Sequence, residues 1–472
     1  MRRRLLLAAG AGTAALGPLA LWAALSGDDH VDGAPGRPRP VPTDLRERDP
    51  EATPAARRVY AMLARLENDA RRGARSGTII GHHVELQNER YNASYGDYRG
   101  TKQPGYYYRK VRDITGKLPG FVELDLGPGY DAPGWGVGHS RSYSRAWPSC
   151  GRTWGYVDDA VDLAVGVWHG LPRPADGSYR PTGTHTDCAT GKQVSLPHNG
   201  GGPAGLVGFS FHQPYPGSPV KSFARTRRAN SPAADDPGWF GRVVTPGTAE
   251  HSALLTDLDF LADHLGYLAE RGVPVLFRPY HEMNTAARGG FWWAGQDPAH
   301  FHRLWRLTHD HLVHRRGLHN LIFVWAPNSW DGGYGKEPGR YYPGGHYVDI
   351  VGVDDYSDRP HDPFRGEPWT EVWYRGLERY GKPRIVSESY HVPLNAAQPR
   401  TLDRTPWVLW TVWGQGLTWE NVSGNEHRNT PADVQRTYND QKVLTGGSAK
   451  AGGFDWASLH PGSSDVTDKP RA

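Results

Sequence analysis

Two glutamates close apolar runs in this chain. Glu282 ends Val-Leu-Phe-Arg-Pro-Tyr-His-Glu (275–282), and Glu388 ends Arg-Ile-Val-Ser-Glu (384–388). A carboxyl group taken out of bulk water finds a cation or shifts its pKa upward. Hydrolysis of a glycosidic bond needs such a pair: one carboxyl stays protonated to donate to the leaving oxygen, and the other stays ionised to attack or to activate water. A plainer reading of each glutamate is a salt bridge to an arginine such as Arg278. If 275–282 is one strand, Arg278, Tyr280 and Glu282 share a face. Other polar or aromatic residues close apolar runs as well: His212, His281, Asn328, Asp354, Asp355, Tyr356 and Trp413.

The elements that carry these residues alternate in type. Short apolar runs at 78–82, 121–126, 206–212, 275–282, 321–327, 350–356, 384–388 and 408–413 each end in Gly, Pro, Asp, Asn, His or a neighbouring polar residue. Helix-length stretches at 55–72, 158–168, 249–271, 298–316 and 368–380 lie among them. Strand and helix alternating eight times predict an α/β fold, a (β/α)8 TIM barrel over 55–446 with long βα-loop insertions. Gly81-His82-His83 is not the phosphate-binding turn of a doubly wound sheet. In a barrel, the polar residues at several strand ends converge on one opening.

Composition narrows the ligand. The 472 residues include 18 Trp and 23 Tyr against 12 Phe, flat side chains with polar edges that suit a sugar. The charge is 54 Lys+Arg against 50 Asp+Glu, and three of the cations are Arg2, Arg3 and Arg4. The nearly neutral remainder argues against nucleic acid as a partner.

Met1-Arg-Arg-Arg4 and the apolar run Leu5 to Leu25 read as an export signal over 1–26, with a twin-arginine character, or as a retained membrane anchor. A secreted or extracellular location follows, with membrane contact only if the segment is retained. A Pro-rich stretch over 27–54 predicts a disordered linker, and 447–472 predicts a flexible tail. Cys150 and Cys188 are the two cysteines and could pair in an exported protein; two separate thiols are the alternative.

The motif Arg278-Pro-Tyr-His-Glu-Met-Asn284 with Phe291-Trp-Trp293 resembles the central motif of glycoside hydrolase family 26, a family dominated by β-mannanases. The segments 208–212, 320–327, 341–356 and 382–388 resemble its third-, fifth-, sixth- and seventh-strand motifs in order. The resemblance implies a retaining mechanism with Glu282 as acid/base and Glu388 as nucleophile. It implies that Tyr356 hydrogen-bonds the nucleophile, that His212 and His281 line the subsite of the scissile sugar, and that Trp413, with Trp410, lies under that sugar. Asp354 is expected to bind sugar or orient the tyrosine, and Arg278 and Trp293 complete the substrate-binding set. Gly290 stands where the family commonly has a tryptophan. This departure leaves the same family's β-1,3-xylanases and mixed-linkage β-glucanases as alternatives to a mannan substrate. A catalytically silent polysaccharide-binding barrel and a metal-dependent hydrolase on the same fold are the other readings.

No cofactor or metal is expected, and a monomer is the default. The stretch 298–316 carries His300, His302, His309, His311 and His314, but it also carries four arginines and reads as a solvated helix face. His281-Glu282 lacks the second histidine of a zinc-protease motif, because position 285 is Thr.

Overall fold

The structure is a computed structural model, described for residues 40–74, 77–83, 106–127, 156–170, 183–186, 193–196, 204–285, 290–329, 337–356, 369–396, 399–414, 417, 429–447 and 454–459. All of them fall in the unit Pro38–Ala472. Cys150, Cys188 and the export segment lie outside the described residues.

Eight parallel strands form a closed barrel: β1 (Thr78–His83), β2 (Phe121–Asp125), β3 (Leu206–Phe211), β4 (Val275–Pro279), β5 (Leu321–Trp325), β6 (Ile350–Asp354), β7 (Arg384–Glu388) and β8 (Leu409–Trp413). Each pairs with the next, and β8 returns to β1 in register from Ile79↔Leu409 to His83↔Trp413. The (β/α)8 expectation is met. All eight strands are buried along their length, as strands walled by helices must be. Among the helices, α1 (Pro54–Arg71), α2 (Tyr106–Thr115), α3 (Tyr156–His169), α4 (Ala249–Glu270), α5 (Pro298–Asp310), α6 (Trp369–Leu377) and α7 (Pro431–Asn439) pack outside the barrel or close to its ends. Their starts are written locally. Thr53, Thr248 and Asp297 accept from backbone N–H groups of the first turns of α1, α4 and α5, and Pro54 and Pro298 open α1 and α5.

Three expectations change. The Pro-rich stretch is not disordered from Val41 onward. Val41 and Leu45 are buried, the Val41 amide donates to Asn68 Oδ1 at 2.7 Å, and Arg48 pairs with Asp349 at 2.5 Å. The apolar residues among the prolines have a surface to bury against. The tail is also partly docked. Trp456 is 1% exposed, and its indole donates to the Thr445 carbonyl at 3.0 Å. The insertion before β3 contains an antiparallel hairpin, Gly183–Thr186 with Gln193–Leu196.

The third change bears on the site. β4 ends at Pro279, not at residue 282, and Tyr280 and Glu282 take φ of 50° and 54°. Residues other than glycine reach this left-handed region only when their surroundings enforce it. Strand parity therefore fails beyond Pro279. Tyr280 turns to the helix layer, where its hydroxyl lies 2.9 Å from Thr308 Oγ1, while Glu282 turns to the barrel mouth.

Candidate active site

The C-terminal ends of the strands are lined with charge. Residues 121, 123 and 125 of β2 share a face, as do 208, 210 and 212 along β3, and the register sets Asp125 beside Ser210 and Ser210 beside Arg278. Arg278 is 1% exposed and occupies the centre. Its Nε and Nη2 donate to the two oxygens of Glu123 at 2.8 and 3.2 Å, its Nη1 to Asp354 at 3.1 Å, and its Nη2 to Glu388 Oε1 at 2.5 Å. Ser387 Oγ donates to Asp354 Oδ1 at 2.6 Å. One guanidinium thus faces three carboxyl groups away from water. Burial disfavours its charge, but the three carboxylates more than offset this and raise its pKa. Burial pushes Glu123 up to about 7, against the pull of Arg278, and raises Asp354 well above the ordinary carboxylate range.

Glu388 accepts at both oxygens. Tyr356 Oη donates to Oε2 at 2.5 Å, opposite the Arg278 contact on Oε1. Two donors on one carboxyl group suit its ionised, acceptor-only form. Nε2 of His281 lies 3.9 Å from Oε1. Burial holds the His281 imidazole neutral, well below the ordinary histidine pKa. Tyr356 packs its ring on Tyr390 at 4.4 Å.

Glu282 has different company. Asn328 Nδ2 donates to its Oε1 at 2.7 Å. Asn284 clasps the backbone of Asn328 in both directions, at 2.8 and 2.9 Å, so the Asn of the His-Glu-Met-Asn motif fixes the residue that donates to Glu282. The Glu282 amide reaches the Ala326 carbonyl at 2.9 Å. Burial, followed by the negative charge of Glu388, raises the Glu282 pKa to about 7. Arg227, His212 and Arg278 pull it partway back. The two glutamates therefore sense one another across the opening while standing in opposite environments.

His212 bonds through Nδ1 to Asp125 Oδ2, and Ser210 Oγ donates to the same oxygen at 2.6 Å. Burial alone would raise the Asp125 pKa; His212 and Ser210 hold it well below the ordinary range instead. The His212 ring meets His281 at 4.7 Å and Phe291 at 5.1 Å, both edge-on. Trp413 stacks on His83 at 4.1 Å across the β1–β8 seam.

The structure brings Glu282, Glu388, His212, His281, Asp354, Tyr356, Arg278 and Trp413 to this one opening. Two residues expected to touch sugar do not reach it. Trp410 lies on the opposite face of β8 from Trp413, 1% exposed, with its indole on the His391 carbonyl at 2.8 Å. The odd spacing between them accounts for this. Trp293 is fully buried, stacked on Phe291 at 4.6 Å, and its indole holds the His281 carbonyl at 2.8 Å. Arg278 and Asp354 sit beneath Glu388 rather than at the surface of the opening. Sequence reasoning missed Glu123 and Asp125, although their alternation in Phe-Val-Glu-Leu-Asp was the available signal. It also missed Arg227, whose guanidinium lies 5.0 Å from the Phe223 ring centre and 4.9 Å from that of Phe291. Donor atoms of His281, Asp354 and Glu388 lie within 4.8 Å of one another, but Arg278 already bonds both carboxyl groups there, so a cation in this cluster is supplied by the chain itself.

The described strands make a closed parallel barrel, with Glu282 just beyond β4 and Glu388 ending β7, and known proteins share this architecture. The family model for glycosyl hydrolase family 26 matches residues 196–371, which bears out the resemblance over that stretch. The chain is 35% identical over 321 residues to "Mannan endo-1,4-beta-mannosidase A and B" of Caldalkalibacillus mannanilyticus, covering 66% of this chain and 47% of that protein. It is 32% identical over 235 residues to "Mannan endo-1,4-beta-mannosidase" of Thermothelomyces thermophilus, covering 46% and 44%. The chain spans about half the length of these curated relatives. A solved β-mannanase from a symbiotic protist of the termite Reticulitermes speratus, complexed with gluco-manno-oligosaccharide, shares the fold with a TM-score of 0.55 at 20% identity, over 84% of this chain and 94% of that one.

Proposed function

We propose that this protein is a retaining glycosidase that cleaves β-1,4-mannosidic bonds in mannan-type polysaccharides. The observation that carries the reading is the opposed setting of Glu282 and Glu388. Glu388 is fixed by donors on both oxygens and aimed from the end of β7, while Glu282 holds a proton to near neutrality. In the first step Glu388 attacks the anomeric carbon as Glu282 gives its proton to the departing glycosidic oxygen, leaving a glycosyl ester on Glu388. In the second, the Glu282 carboxylate takes a proton from water, the oxygen of that water attacks the same carbon, and Glu388 departs with its charge restored. Asn328 orients the acid, Tyr356 and Arg278 orient the nucleophile, and His281 and His212 line the place of the reacting sugar. The names of the relatives support mannan as substrate.

The test is chemical. Glu282→Ala and Glu388→Ala each abolish release of reducing ends. Azide rescues Glu388→Ala as a glycosyl azide of inverted configuration. A variant that keeps wild-type turnover removes the role assignment. Glucomannan, galactomannan, β-1,3-xylan and lichenan, tested side by side, separate a mannanase from the xylanase and mixed-linkage readings.

We also infer export, from the basic residues Arg2 to Arg4 ahead of the apolar run Leu5–Leu25. Among the described residues no helix is long and apolar enough to cross a membrane. Sequencing the mature N-terminus distinguishes cleavage from a retained anchor.

A further inference from the structure

The end of α5 carries ligating side chains that catalysis does not use. In an α-helix of 3.6 residues per turn, positions i and i+5 point to different faces. α5 does not stay α-helical. From His311 to Arg315 it widens into a π-turn, and the Arg316 amide reaches back to the His311 carbonyl at 3.0 Å. A π-turn places residues five apart one above the other and is often found at functional sites. Here it brings the rings of His309 and His314 to 5.7 Å. Asp310 stands between them, with Oδ1 at 3.1 Å from His309 Nδ1 and 3.8 Å from His314 Nε2.

One ligand atom from each of the three residues lies within 4.8 Å of the others. His346, exposed on the turn before β6, has its ring 6.2 Å from that of His309. Two nearby cations are engaged elsewhere: Arg306 donates to the Pro343 carbonyl at 2.8 Å, and Arg316 pairs with Asp259 and Asp263.

We propose that His309, Asp310 and His314, with His346 as fourth donor, form a zinc site that ties the end of α5 to the turn entering β6. Imidazole nitrogen and carboxylate oxygen are the donors that zinc takes, at about 2.0–2.2 Å in a tetrahedral array. The donors must draw together by roughly an ångström to reach such bonds. His309 is buried and fixed, whereas the side chains of Asp310 and His314 are 50% and 58% exposed and have room to turn. The place is the end of a barrel helix, next to the start of β5 at Leu321 and β6 at Ile350, and so at the face opposite the catalytic opening. The metal is therefore a clamp on the scaffold, not a participant in hydrolysis.

The test uses the purified full chain, stripped with chelator and titrated with Zn2+ by calorimetry. The wild type takes up one zinc per chain and gains thermal stability on binding. His314→Ala and Asp310→Asn, chosen because both side chains are exposed, each weaken that binding at least tenfold while keeping the circular dichroism and the activity of the metal-free wild type. His300→Ala, in the same helix but away from the cluster, binds as the wild type does. Co2+ in place of zinc gives the intense visible bands of a tetrahedral centre, absent from His314→Ala. Lack of stoichiometric binding in the wild type, or binding undiminished in both His314→Ala and Asp310→Asn, overturns the proposal.

Discussion

The phenol of Tyr356 donates to Glu388 Oε2 at 2.5 Å. This bond holds one oxygen of Glu388 while Arg278 holds the other. A hydrogen bond to a charged group contributes about 1.5–3 kcal/mol. Tyr356→Phe therefore lowers kcat/KM by roughly 10- to 150-fold. The urea midpoint of the variant is measured alongside, so that kcat/KM is compared for folded protein. Equal kcat/KM in the variant would contradict this role of the phenol.

The alkaline limb of activity reports the acid. Glu282 must be protonated to donate, so turnover present at lower pH declines as pH rises through about 7. Arg227 pulls that value down by its charge. Arg227→Met thus moves the alkaline limb of kcat/KM upward, the reverse of what loss of a simple binding contact would do. A pH profile of the two proteins decides it; an unmoved or lowered limb refutes the assignment.

Asp125 gives a stability prediction with a definite sign. Its folded-state pKa is depressed by His212 and Ser210. The contribution of its charge is complete above the ordinary Asp value of about 3.9, and it fades as pH falls from there toward the folded-state value. Asp125→Asn breaks a buried pair and costs about 3 kcal/mol at pH 7. The gap between variant and wild type narrows progressively below about pH 4. Denaturant titrations at pH 7, 5 and 3 measure it, and a gap that widens with acid counts against the pairing.

The docked tail is testable in the same way. Trp456 is 1% exposed and bonded to Thr445. Trp456→Ala costs about 3–5 kcal/mol. A urea midpoint unchanged from wild type would mean that 454–459 does not pack as described.

Much of the site was legible because strand periodicity is short and strict. Glu388, His212 and Trp413 close runs of alternating or continuous apolar residues, and the barrel rule sends such residues to one mouth. Glu282 was found for a partly mistaken reason, since the strand stops at Pro279 and a left-handed turn, not parity, delivers its side chain. Nothing in a one-dimensional pattern announces two positive-φ residues without glycine. Glu123 and Asp125 were overlooked because charged residues within an apolar strand look like interruptions until a partner such as Arg278 is seen across the barrel. Trp410 and Trp293 show the converse. Tryptophan suits both a sugar platform and a buried wedge, and only packing separates the two.

His83 and Trp413 lie ring on ring at the seam where the first and last strands of the barrel meet. The early and late parts of the polypeptide thus share a wall of the catalytic chamber. A nascent chain that has already made both glutamates but not β8 has no finished chamber in which to use them. The barrel that holds both carboxyl groups is complete only when the last strand is in place.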